Sequence, residues 1–177
     1  MFEGGKAMLD KMKTRRSVRK FKSDMVPKEI IEKIIEAGTY AASGMNRQPG
    51  MIVAVTNKEL RDKFSKMNAD IMGVNTDPFY GAPVVLIVLA DKAAPTYLYD
   101  GSLVMGNLML AAHELGVDSC WIHRAKEEFE SEAGKELLKS LGITGDYEGI
   151  GHCVLGYVDG EYPDAKPRRE NTVFWVE

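Results

Sequence analysis

Ile30, Ile31, Ile34 and Ile35 recur at helical spacing in VPKEIIEKIIEAGTYAAS (26–43), and Glu29, Glu32, Lys33 and Glu36 fill the opposite face. This pattern predicts a strongly amphipathic helix. Pro27 suits its first turn, where no backbone donor is required. Ala7–Lys13 predicts a short helix before it. MIVAVT (51–56) reads as a strand, and NKELRDKFSKM (57–67) as a helix with Asn57 placed to cap it. VVLIVLA (84–90) is apolar on both faces, which predicts a central buried strand. DGSLVMGNLMLAAHELG (100–116) is apolar nearly all round, so it belongs in the middle of a domain or under a subunit interface. Gly116 is well placed to end it. VDSCWIH (117–123) and GHCVLGYV (151–158) predict further strands, and KEEFESEAGKELLKSLG (126–142) predicts one helix. MGVNTDPFYGAP (72–83) and GITGDYEGIG (142–151) read as connections. The remaining tail is irregular, and its Phe174 and Trp175 need an apolar place to dock. The sum is an α+β chain with four or five core strands and at least four helices.

Composition narrows the class. A chain of 177 residues is enough for one domain with a sizeable core. Hydrophobic residues at 45% and charged residues at 28% argue against disorder. No apolar run reaches the roughly 18 residues that a bilayer requires, and MFEGGKAMLDKMK lacks the pattern of a secretory signal. Cys120 and Cys153 are too few for a disulfide framework; reduced, buried thiols in a cytoplasm are expected. A formal net charge of -3 argues against general nucleic-acid binding, which needs a broad basic face.

Against that acidic background, Lys11–Lys22 holds seven basic residues and no acidic one. It is either a solvated loop between helices or an anion site. Arginine forks match phosphate oxygens bidentately, and RRSVR adds a serine hydroxyl within the same five residues. KPRR (166–169) is a second basic knot, able to close on the same phosphate if the chain ends meet. AASGMNRQPG (41–50) suits a turn after a helix, yet Ser43, Asn46 and Gln48 also offer groups for the edge of a planar heterocycle.

Other chemistry is weaker. Cys120 and His123, like His152 and Cys153, point to opposite faces of a strand, so no metal site is expected. His113 reads as a satisfied core or interface histidine. GITGDYEGIG lacks the Lys-Ser/Thr ending of a phosphate-binding loop. The acids fall on predicted wet helix faces, and no catalytic triad or carboxylate pair stands out. If the chain is an enzyme, a cofactor carries the chemistry.

Taken in order, TRRSVRKF, AASGMNRQPG, APVVLIVLA, DGSLVMGNLMLAAHELGVDSCWIH, GHCVLGY and KPRR resemble the FMN-dependent nitroreductase family, as one of its compact members. The resemblance covers nearly the whole chain. It implies a single FMN-binding domain over 1–177, folded as a nitroreductase-like three-layer sandwich. Helices would flank a central mixed, mainly antiparallel sheet, and the protein would be a homodimer. It implies that Arg15 and Ser17, with Arg16 beside them, grip the FMN phosphate together with Lys166 and Arg168, Arg169 adjoining. Arg19 would lie toward the flavin pyrimidine, where a positive group stabilises the reduced ring, and Asn68 is a further candidate for that edge. Ala42, Ser43, Gly44, Asn46 and Gln48 match the segment that reaches the flavin from the other subunit. Trp121, Ile122 and His123 match the stretch beside N5, largely through backbone; many relatives have a Pro-Ile-Glu-Gly type sequence there.

The implied activity is a ping-pong transfer from NADH or NADPH, through flavin N5, to an electron-poor acceptor such as a nitroaromatic or a quinone. No side chain need act as an acid or base. The competing readings are an FMN carrier or sensor without broad reductase activity, and a nucleic-acid-binding protein using KMKTRRSVRKFK. Neither a membrane nor a nucleic-acid partner is expected.

Overall fold

The computed structural model describes the backbone of residues 3–177 and side chains from Met8 onward. The leader reading therefore rests partly on Met1 and Phe2, which lie outside the described residues. In chain order the elements are α1 (Glu3–Thr14), α2 (Lys28–Thr39), a 3-10 turn at Gly44–Asn46, β1 (Gly50–Val55), α3 (Lys58–Met72), β2 (Val84–Asp91), α4 (Tyr97–Glu114), β3 (Asp118–Ile122), α5 (Ala125–Glu130), α6 (Glu132–Ser140) and β4 (Tyr147–Gly156). Asn57 caps α3 by accepting from the Leu60 N–H at 2.9 Å.

The strands form one sheet in the order β1-β2-β4-β3, every neighbouring pair antiparallel. Among the described residues parallel pairing occurs only as an isolated bridge between Ser17 and Ser119. β2 is apolar on both faces because both are covered. Val85, Ile87 and Leu89 pack with Phe64 of α3, Phe129 of α5 and Leu137 of α6. Val84, Leu86 and Val88 pack with Ile31 and Ile34 of α2 and Met105 and Leu108 of α4. The result is three layers, with α2 and α4 on one face and α3, α5 and α6 on the other.

Four expectations need correction. The single helix over 126–142 is two, because Ser131 leaves helical geometry (ψ 152°), caps α6 by accepting from Gly134 N–H, and donates its hydroxyl to the Glu128 carbonyl. The connection over 142–151 gives way to β4 at Tyr147. A Cβ on Gly149 would fall 2.2 Å from the Ala125 carbonyl oxygen, so α5 lies directly on that glycine. Phe174 and Trp175 stay 83% and 86% exposed on this chain. Three acids, Asp100, Glu128 and Glu148, are buried instead of wet. His113 is hydrogen-bonded but only half-buried, with its Nε2 at 2.9 Å from the Thr14 hydroxyl.

The loop after α3 is held by one carboxylate. Asp77 accepts from Arg61, from the Ser65 hydroxyl and from the backbone of Phe79 and Gly81. Arg61 is itself buried and also donates to the Ala82 carbonyl. Burial alone would raise the Asp77 pKa, but the hydrogen bonds from Arg61, Ser65 and the two amides outweigh it and hold it below the ordinary 3.8. Asp77→Ala should cost about 2 kcal/mol, the size of a charge-assisted bond to a buried partner. A lowered folded pKa contributes stability that is full above the ordinary value and is lost as pH falls through the lowered, folded value. In urea titrations the gap between wild type and variant should therefore be full at neutral pH, begin to narrow only below about pH 4 and close in stronger acid. A gap that persists in acid would remove the ionised carboxylate from the account.

Candidate functional site: a basic cleft at one sheet edge

TRRSVRKF is pinned by its apolar members. Val18 and Phe21 are buried, and the Val18 N–H donates to the Ser119 carbonyl at 3.1 Å. The segment thus runs along the outer edge of β3. Arg15, Arg16 and Ser17 are left half-buried and Arg19 exposed.

The far end of the chain folds back onto this edge. The Arg16 backbone N–H donates to the Tyr162 hydroxyl at 2.8 Å, and the Tyr162 ring stacks on His113. This clamp brings Lys166 and Arg168 to a cavity of about 660 Å³ that Lys13, Arg15 and Arg16 also line. Arg169 is not among its lining residues. Among the described residues no acid lines the cavity, so five cations face one another there. Arg15 Nη1 and Arg16 Nε are buried donors without a partner among the described residues. Buried donors are ordinarily satisfied, and an anion with several acceptor oxygens would satisfy both. The field also reaches His113, whose pKa is lowered first by burial and then by Lys11 and Arg15.

Trp121, Ile122 and His123 close the same edge. β3 is paired with β4 on its inner side and with Ser17 on its outer side at Ser119. Arg124 follows in the left-handed region at φ 77°. The His123 carbonyl accepts from Asn68 Nδ2 at 2.8 Å. Asn68 itself is wholly buried. Sequence reasoning missed Tyr162, which carries no signal in an irregular tail. It also missed Glu128, whose signal was its place in the apolar stripe Ala125, Glu128, Phe129.

The thiols are not reactive groups here. Burial raises the Cys120 pKa and pushes that of Cys153 up to about 12. Among the described residues no three His, Cys, Asp or Glu side chains are grouped to hold a metal ion.

Residues 42–48 lie elsewhere. They precede β1, at the other edge of the sheet, and Ala42, Ser43 and Gln48 line a separate cavity of about 270 Å³. Met45, Asn46 and Gln48 all have φ near +50°. That is a strained conformation for non-glycine residues and a mark of functional loops. The loop is held by Asp100, which accepts from Gly44 N–H, and by Ser43, whose hydroxyl accepts from Gln48 N–H. Gly44 has no room for a Cβ, which would meet the Thr96 hydroxyl at 2.3 Å. Three strand spacings, about 14 Å in all, separate the two edges. One chain therefore assembles the basic pairs and residues 121–123 at one edge and presents residues 42–48 at the other.

The nitroreductase-family model matches residues 12–78 and 69–157. A protein of Archaeoglobus fulgidus, assigned as an NADH dehydrogenase/NAD(P)H nitroreductase, is 33% identical over 153 residues, covering 84% of this chain and 83% of its own. A protein of Methanothermobacter thermautotrophicus with the same assignment is 32% identical over 123 residues, 64% of this chain; the match spans 59% of the relative's length. The crystal structure of a nitroreductase with bound FMN from Bacteroides fragilis superposes with a TM-score of 0.86 at 29% identity, over 96% of this chain and 98% of that one.

Proposed function

The chain belongs to the nitroreductase family, and from that premise we propose that it is an FMN-dependent oxidoreductase carrying reducing equivalents from NADH or NADPH to a nitroaromatic or quinone. The observation that carries the reading is the basic cavity in which Arg15 and Arg16 meet Lys166 and Arg168 from the opposite chain end, with two guanidinium donors unpartnered. Such a set fits a phosphate dianion. In this reading Arg15, Arg16, Ser17, Lys166 and Arg168 hold the FMN phosphate, with Arg169 at its margin. Exposed Arg19 supplies positive charge on the same edge, near the pyrimidine. The backbone of Trp121, Ile122 and His123 borders the ring. Ala42, Ser43, Gly44, Asn46 and Gln48 complete the site from the second chain of a homodimer.

Bound there, FMN would supply the capacity to take up and release a hydride. The protein's residues bind, orient and tune it. In this reading no side chain need act as an acid or base: the thiols are buried, and a proton can come from the water to which His123 is exposed. Among the described residues no helix is long and apolar enough to cross a membrane.

Steady-state NAD(P)H oxidation with a nitroaromatic acceptor tests the reading. Donor and acceptor would share one ring face in turn, so double-reciprocal plots at several acceptor concentrations should be parallel. Flavin binding without NAD(P)H oxidation would make the protein a carrier or sensor instead.

A further inference from the structure

Beneath the His123–Arg124 turn lies a polar network whose Glu128 and His152 the phosphate and ring assignments leave unused. Asn68 on α3, Glu128 on α5 and His152 on β4 are each fully buried. Asn68 Nδ2 donates both to Glu128 Oε1 at 2.6 Å and to the His123 carbonyl at 2.8 Å. His152 Nε2 lies 3.0 Å from Glu128 Oε2. In its Nε2–H tautomer His152 donates to that oxygen. Phe64, Phe79 and Phe129 surround the imidazole, with ring centroids 6.4, 5.1 and 6.5 Å away.

A buried polar cluster of this kind is not explained by stability. Apolar residues of similar volume usually serve a core at least as well. What the cluster does that leucines could not is orient one amide. Glu128 Oε1 requires the Asn68 NH2 group on its side, and the same NH2 then holds the His123 carbonyl. His152 in turn fixes the carboxylate. Glu128 cannot drift, because α5 rests on Gly149 and α6 abuts its carbonyl: a Cβ on Gly134 would lie 1.9 Å from the Glu128 oxygen. The turn being held is strained, with Arg124 at φ 77°.

We propose that Asn68, Glu128 and His152 are positioning residues that set the His123–Arg124 backbone against the cofactor ring, with Asn68 as the link. This rests on the reading above that residues 121–123 border the flavin.

The test titrates the full-length protein, stripped of flavin, with FMN, following fluorescence quenching and the reduction potential of the bound flavin. Glu128→Leu removes the acceptor for Asn68. Asn68→Ala removes the link and leaves the Glu128–His152 pair intact, so it decides the question if Glu128→Leu does not fold. Glu128→Gln keeps an oxygen for Asn68. FMN affinity should fall about tenfold in Glu128→Leu and Asn68→Ala but less than about threefold in Glu128→Gln, the effect of one buried hydrogen bond lost or kept. The potential should shift in the first two variants only, which a merely structural role would not produce. Wild-type affinity and potential in folded Asn68→Ala would overturn the positioning role and leave the cofactor reading intact. So would an equal loss in Glu128→Gln and Glu128→Leu, which would mean that charge, not amide orientation, matters. Wild-type protein that fails to quench FMN would overturn the cofactor reading itself.

Discussion

Riboflavin should bind at least a hundredfold more weakly than FMN. The two ligands differ only by the phosphate, so the difference reports the basic cavity alone. Each charge-assisted hydrogen bond contributes about 1.5–3 kcal/mol, and a factor of ten is about 1.4 kcal/mol. Filling the two unpartnered donors, Arg15 Nη1 and Arg16 Nε, already accounts for about two factors of ten. Relief of repulsion among Lys13, Arg15, Arg16, Lys166 and Arg168 acts in the same direction. Arg15→Ala should therefore weaken FMN at least tenfold and leave riboflavin unchanged. Arg169→Ala, outside the cavity lining, should leave both unchanged. The measurement is a flavin fluorescence titration of the stripped protein. Equal affinities for the two ligands would remove the phosphate from this cavity.

That cavity marks where sequence reasoning stops. The residue types in RRSVR and KPRR already point to an anion, because arginine density without acids is a local property. Their meeting is not local. It depends on Tyr162 reaching the Arg16 backbone and on the ring of His113, and nothing in an irregular tail marks that tyrosine. Helices and strands divide the same way. The isoleucines of α2 turn to the core at helical spacing, and the unbroken apolar run Val84–Ala90 is buried on both faces, because in each the apolar pattern is the signal and burial the cause. The start of β4 was hidden. Gly149 and Gly151 carry no side chains to alternate, and their Cβ space is taken by the Ala125 carbonyl and the Trp121 indole. The break between α5 and α6 depends on Ser131 capping one helix while bonding the other, within a polar stretch that keeps its helical period. Glu128 looked wet because glutamates on helices usually are; its partners come from α3 and β4.

An Arg15→Ala chain mixed with an Asn46→Ala chain should regain up to half of wild-type activity per mixed dimer, although each variant alone is poorly active. The expectation follows from where one chain places its parts. Arg15 lines the basic cavity at the β3 edge of the sheet, and Asn46 lies before β1 at the opposite edge. In the proposed homodimer a two-fold axis would bring the β1 edge of one chain to the β3 edge of the other and build two equivalent sites. The surface of the chain supports such a partner. Leu98, Tyr99 and Leu103 on α4 are 44%, 74% and 49% exposed, Met8, Leu9 and Met12 stand out on α1, and Val173–Val176 are bare. Apolar surface on this scale marks an interface. Asn46→Ala removes the amide oxygen that accepts from Gln48 Nε2 within the exposed loop, and a weakened loop is a lesion of the β1 edge only. In the mixed dimer one site then carries both lesions and the other neither. Counting intact sites gives the one-half, with mixed dimers quantified by native mass spectrometry. Mixed dimers with no recovered activity would place Arg15 and Asn46 at the same site within one chain, and a fully active monomer at high dilution would reject the shared site altogether.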